Sequence, residues 1–187
     1  MTTNRWSPLD WGSFAAHEAT GNLAADVRLY LGLGAALNDA AVATWGAKRA
    51  YQAPRPISMI RYLAFEGQSN ERSKPHYSAD GLPLVPGLVE LRDGKVEVLS
   101  RGQWIDGAAW SPPAATPASP GGVAEGSAFA SAAGKVLAAL TGHSYASQVR
   151  RSRTAAVTSG IDVPSDTAAG RALGERVARL VLEKLRR

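Results

Sequence analysis

Trp45-Gly46-Ala47-Lys48-Arg49-Ala50-Tyr51-Gln52-Ala53-Pro54-Arg55-Pro56 is the stretch on which the reading of this chain turns. Upstream of it, Leu23, Val27, Tyr30, Leu31, Gly34, Asn38, Ala41 and Trp45 recur at three- and four-residue steps. That spacing is one face of an α-helix, and Asn22 is a good N-cap, its side-chain oxygen accepting from an otherwise unpaired amide. One long helix is predicted from Asn22 to about Tyr51, with that face buried. Pro54 and Pro56 end it, because proline lacks an amide hydrogen and its ring clashes with the preceding turn. Pro56 is tolerated at the start of a new helix, so a second one is predicted from about Pro56 to Phe65.

Working outward, residues 1–21 carry Trp6, Pro8, Trp11 and Phe14 without a clear period and read as an N-terminal arm, extended with a short helical turn. Residues 66–122 read as a long loop rich in Gly, Pro, Ser and Asn. Within it, Leu88–Leu91 and Lys95–Leu99 flank Arg92-Asp93-Gly94, a hairpin signal, since Asp-Gly adopts the backbone a two-residue turn requires. Ser111 to Gly122 is a proline-rich, rigid connector. Two more helices follow. The first spans about Val123 to Leu140, with Ala132, Val136 and Leu140 inward. The second spans about Ser165 to Leu185 on a stripe of Leu173, Val177, Leu180, Val181 and Leu185. The fold class is mainly α: a single helical domain over 1–187 with three to five helices and one small β-hairpin in a long loop.

The chain has 187 residues, 45% hydrophobic and 20% charged, a globular composition. It has no cysteine, which removes disulfides, thiolate metal sites and cysteine nucleophiles together. No apolar run is long enough to span a membrane, and the N-terminus lacks a basic-then-apolar leader, so a cytoplasmic protein without a membrane partner is expected. The net charge of +5 invites a nucleic-acid reading. The basic residues argue against it: they cluster at Arg150, Arg151 and Arg153 and at the C-terminus, and no recognition motif accompanies them.

By itself, Lys48 followed by six residues and Arg55-Pro56 is a weak pattern, a helix-end lysine and a turn arginine. Its surroundings make it specific. Leu37–Ala41, Trp45–Lys48, Tyr51 and Arg55–Tyr62 together resemble the bacterial vanadium-dependent haloperoxidase family, part of the larger group containing type-2 phosphatidic-acid phosphatases and bacterial acid phosphatases. Asp80–Leu88, Trp104-Ile105, Trp110, Thr116-Pro117, Val123, Ser127, Phe129, Gly160-Ile161-Asp162, Asp166, Gly170 and Gly174 continue the resemblance in order. It implies a helical bundle of the haloperoxidase/acid phosphatase type whose helix ends hold vanadate or phosphate. In that family one lysine and two arginines neutralise the anion, a Ser-Gly-His segment supplies hydrogen bonds, and a last histidine bonds the metal. Fixed cationic donors suit a tetrahedral oxyanion, and arginine suits it best.

Lys48 and Arg55 match the first two positions. The resemblance puts Ala124-Glu125-Gly126 where Ser-Gly-His belongs, Asp162 where the last histidine belongs, and Ala156 at the second arginine, with Arg153 three residues early. His17, His76 and His143 lie off the motifs and show no metal-ligand spacing, so no metal site is expected. Glu125 and Asp162 would repel an oxyanion and compensate the two cations themselves, so no cofactor is expected, vanadate included. The candidate catalytic set is Glu125, Asp162, Lys48 and Arg55, with Arg153, Ser127 and Asp166 as candidate substrate contacts. Three readings stay open. One is a repurposed enzyme using Glu125 or Asp162 for acid–base work on a small organic substrate. Another is a non-catalytic subunit or binding module, and the third is retained haloperoxidase or phosphatase chemistry. Family members also run longer, as duplicated bundles, so this shorter chain is expected to cover its apolar face by forming a homo-oligomer.

Overall fold

A computed structural model describes residues 8–65, 87 and 89–186. In chain order it has α1 (Pro8–Glu18), α2 (Leu23–Tyr51), α3 (Pro56–Phe65), β1 (Val89–Arg92), β2 (Lys95–Ser100) and β3 (Gln103–Asp106). A 3-10 turn at Gly107–Ala109 leads to α4 (Glu125–Thr141), α5 (Ala146–Thr158) and α6 (Pro164–Leu185). Most of the predicted hairpin loop, residues 66–86 with Leu88, lies outside the described residues, as does His76.

α4 is the axis of the bundle. Its alanines let neighbouring helices approach closely, and Ala128, Ala130, Ala132, Ala133, Val136 and Leu137 are fully buried. One core cluster joins Trp11, Leu29, Leu33, Leu137 and Tyr145, and a second joins Ala36, Ala40, Val136, Val177 and Val181. α6 lies against α4 through two glycines. A Cβ on Gly170 would overlap the Ala124 carbonyl, and one on Gly174 would overlap the Ala128 carbonyl. These two helices can pack this closely only where both side chains are absent.

Asn22 caps α2, its side chain accepting from Ala25 N, and Gln52 closes it in the left-handed region (φ 45°). The face of α2 predicted to be buried is the outer one. Leu29, Leu33, Ala36, Ala40, Thr44 and Lys48 face the core, while Leu23, Val27, Tyr30, Leu31, Val42 and Trp45 are exposed. α2 carries two apolar stripes, and the larger side chains, which dominate a periodicity, lie on the stripe that α4 and α6 leave uncovered.

Three further corrections concern elements. The N-terminal arm is a helix over residues 8–18, because Trp11 and Ala15 dock fully buried against α2 and α4. Trp11, Phe14 and Tyr145 form an edge-on aromatic group with ring centres 5.4 to 6.2 Å apart. The hairpin is two strands of a three-stranded antiparallel sheet. Asp93-Gly94 and Arg101-Gly102 all have positive φ, so two tight turns fold β1, β2 and β3 in sequence, with Leu91 opposite Val96 and Val98 opposite Ile105. Finally, α5 falls between the last two helices read from the sequence, where no element was placed. Its sequence is polar, and only Ser152 and Ala156 are buried, so it has no apolar stripe to detect. Among the described residues, no helix is long and apolar enough to cross a membrane.

Candidate functional site

Four helix ends and one connector meet at a cluster of buried charges. Lys48, in the last turn of α2, continues the inward stripe of Ala36, Ala40 and Thr44, and its side chain is 1% exposed. Its ammonium donates to the Pro120 carbonyl and stands 3.9 Å from Glu125 Oε1. Burial pushes its pKa below the usual lysine value, and the neighbouring Arg55 charge adds to this; Glu125, Asp162 and Asp166 oppose it. Arg55 lies between α2 and α3, where Pro54 and Pro56 hold the backbone extended.

Every nitrogen of the Arg55 guanidinium is engaged. Nε donates to the Ser119 carbonyl at 3.0 Å, and Nη2 to Ser119 Oγ at 3.0 Å. Nη1 donates to the Ile161 carbonyl at 3.0 Å and to Asp162 Oδ1 at 2.5 Å. Arg55 and Asp162 are 7% and 5% exposed, so this is a buried ion pair with its hydrogen bonds supplied. Glu125 opens α4, where the helix dipole favours a carboxylate, and its Oε1 accepts from Ser119 Oγ at 3.5 Å. It is the most accessible of the group, its side chain 29% exposed.

Asp166 sits in the first turn of α6, again at the favourable end of a helix dipole. Its carbonyl accepts from Ala124 N, tying the start of α6 to the start of α4. Its Oδ2 is buried without a hydrogen-bond partner among the described residues. The cluster thus holds two cations, Lys48 and Arg55, among three carboxylates, Glu125, Asp162 and Asp166. Among the described residues, no group of three or more His, Asp or Glu side chains is arranged to hold a metal ion.

A family model for the VCPO second helical-bundle domain matches residues 28–157. The chain belongs to this haloperoxidase-like family. No curated protein matches it closely enough to count as a relative. The matched region of this haloperoxidase-like bundle includes Lys48, Arg55, Glu125 and Arg153 and ends before Asp162 and Asp166.

Two of the residues expected to contact substrate are placed elsewhere in the haloperoxidase-like bundle. Ser127 points into the α4–α6 seam, fully buried, and donates to the Thr167 carbonyl at 2.6 Å, so its hydroxyl braces two helices. Arg153 lines clefts along α5 and not the wall beside Arg55, because its turn of α5 faces α6. Lys48, Arg55, Glu125 and Asp162 are brought together, with Asp166 beside them. Of the histidines, His143 pairs with Glu18 at the surface (2.7 Å), and His17 is exposed. The sequence reading missed Ser119, Pro120 and Ile161, which engage the two cations mainly through backbone carbonyls, and backbone leaves no signature in residue type. Only the rigidity of the proline-rich connector hinted at them.

Proposed function

We propose that this haloperoxidase-like bundle does not hold vanadate, and that the family's anion site serves here as an internal ion-pair lock in a non-catalytic binding or assembly module. The observation that carries this is the Asp162 carboxylate 2.5 Å from Arg55 Nη1. An oxyanion site needs cationic donors left free for the ligand, whereas here every Arg55 nitrogen already has a protein acceptor. With three carboxylates beside two cations, the donor set does not fit vanadate or phosphate, and no reaction step is drawn through either. The decisive assay is peroxide-dependent bromination of a dye with and without added vanadate. No turnover is expected; vanadate-dependent bromination abolished by Arg55→Ala would refute the proposal.

The proposed assembly surface lies on α2. Its exposed stripe runs from Leu23 to Trp45, roughly 33 Å at the usual rise per residue. Gly34 stands at its midpoint with open space where a Cβ would be. An antiparallel two-fold pairing centred on Gly34 sets Leu23 of one copy opposite Trp45 of the other, so the stripe is complementary to itself. The occupant proposed for this face is therefore a second copy of the chain.

Glu125 supports a second reading. It is part-exposed beside Lys48, whose pKa is lowered, an arrangement suited to acid–base work on a small organic substrate. Native mass spectrometry of the purified chain separates the two readings. A co-purifying organic molecule that is lost in Glu125→Gln favours the enzyme.

A further inference from the structure

A second cluster of charges lies away from the Arg55 site, and its balance is the opposite. α5 and α6 diverge over α4, leaving a cleft of about 470 Å³. Lys135 enters it from α4, Arg150 and Arg153 from α5, and Arg171 from α6. Among the described residues, the one carboxylate in the lining is Glu175, which is already paired with Arg171 at 2.7 Å. Glu175 also feels the charge of Lys135, so the lining holds four cations against one carboxylate, in a space of the size that organic ligands occupy.

Two buried donors in the lining have no acceptor among the described residues. Ser131, 3% exposed on the α4 floor, has an Oγ without a hydrogen-bond partner, and Arg153 Nε is buried in the same condition. Buried polar groups are normally satisfied, so a pair of unsatisfied donors in one cationic cleft calls for a ligand rich in acceptor oxygens. Apart from Ser144, the rest of the lining is apolar or aromatic and includes Tyr145, Val149 and Ala138.

We propose that this cleft binds the phosphate group of a small phosphorylated organic molecule. Ser131 and Arg153 donate to the phosphate oxygens, Lys135 and Arg150 supply further positive charge, and the organic part lies against Tyr145 and Val149. Arg153, expected from the sequence as a substrate contact of the Arg55 pocket, belongs in this proposal to a different anion site. None of these residues is part of the Arg55 cluster, so the cleft stands apart from the vanadate question.

The test is isothermal titration of the full chain with phenyl phosphate, with inorganic phosphate and phenol as comparison ligands. One phenyl phosphate per chain is expected, held more tightly than inorganic phosphate, with phenol not binding. Affinity should fall by about tenfold or more in Arg153→Gln and also fall in Ser131→Ala, since each removes a donor to a charged oxygen. Arg92→Gln, which removes a cation of the sheet outside both the cleft and the Arg55 cluster, should leave affinity unchanged. If Arg153→Gln fails to fold, Arg150→Gln, an exposed substitution, takes its place and should weaken binding. Absence of binding at about 10 mM phenyl phosphate would overturn the proposal. So would binding that Arg153→Gln and Ser131→Ala leave intact, or inorganic phosphate binding as tightly as the ester.

Discussion

Asp162→Ala tests the ion-pair lock most directly. The substitution leaves Arg55 with Ser119 O, Ser119 Oγ and Ile161 O, but without its one charged partner among the described residues. Arg55 is 7% exposed and has buried Lys48 for a neighbour, so water restores little of the loss. Removing one partner of a buried pair costs about 3–5 kcal/mol, which in a domain of this size lowers the melting temperature by about 10 °C. The same change takes the cluster from two cations and three carboxylates to two and two, and it vacates the acceptor position at Nη1. Sulfate should then substitute for the lost carboxylate. An anion present at about 100 times its dissociation constant returns about 2.7 kcal/mol. The assay is urea unfolding of both proteins in chloride and in sulfate at equal ionic strength, reading the sulfate gain of the variant minus that of the wild type. Subtraction removes any sulfate bound in the α4–α5–α6 cleft, which both proteins share. A variant within about 1 kcal/mol of wild type, or equal sulfate gains, would refute the argument that Asp162 stands in for an anion.

Gly174→Ala should destabilise by about 1–3 kcal/mol or more, because its Cβ meets the Ala128 backbone, and the roughly 1 kcal/mol of helix propensity gained is outweighed. Gly12→Ala, with open space at its Cβ, should instead be neutral or stabilising in the same denaturation assay. The folded pKa of Lys48 lies below its unfolded value, so between the two the folded chain binds fewer protons and stability rises with pH. Urea midpoints across the alkaline range should show wild type gaining on Lys48→Met up to about pH 10.5; a difference that shrinks instead would mean that the charged lysine is net stabilising. Light scattering at micromolar concentration should give roughly twice 19.6 kDa, and Trp45→Arg should shift it to the monomer; a monomeric wild type rules out the α2 interface.

Helix ends were legible wherever the chemistry is local. Asn22, Pro54 and Pro56 each act within a turn of their own position, and α2 and α3 begin or end where those residues place them. What could not be read locally depends on partners distant in the chain. α1 is a helix because Trp11 finds Tyr145 and Leu137. α5 has almost no apolar face of its own and is positioned by neighbours, with Ser152 Oγ donating to the Gly126 carbonyl. The inner face of α2 escaped notice because it consists largely of alanine, threonine and lysine. Small residues bury little area each, yet they set the distance at which helices pack.

The candidate site shows the same division. The family resemblance singled out Lys48, Arg55, Glu125 and Asp162 at motif positions, and their opposite charges led to the expectation that the carboxylates would compensate the cations. The motif failed at Arg153 and Ser127, where side-chain direction decides. Successive residues of α5 face different neighbours, so Ser152 meets α4 while Arg153 turns toward the α6 side. Charge balance, and not motif position, is what the two proposals rest on. The Arg55 cluster carries an excess of carboxylate and has its donors filled. The cleft beyond Arg153 carries an excess of cation and has two donors empty. On the two proposals made above, the bundle would close one anion site from within and open another a helix away while keeping the architecture of its family.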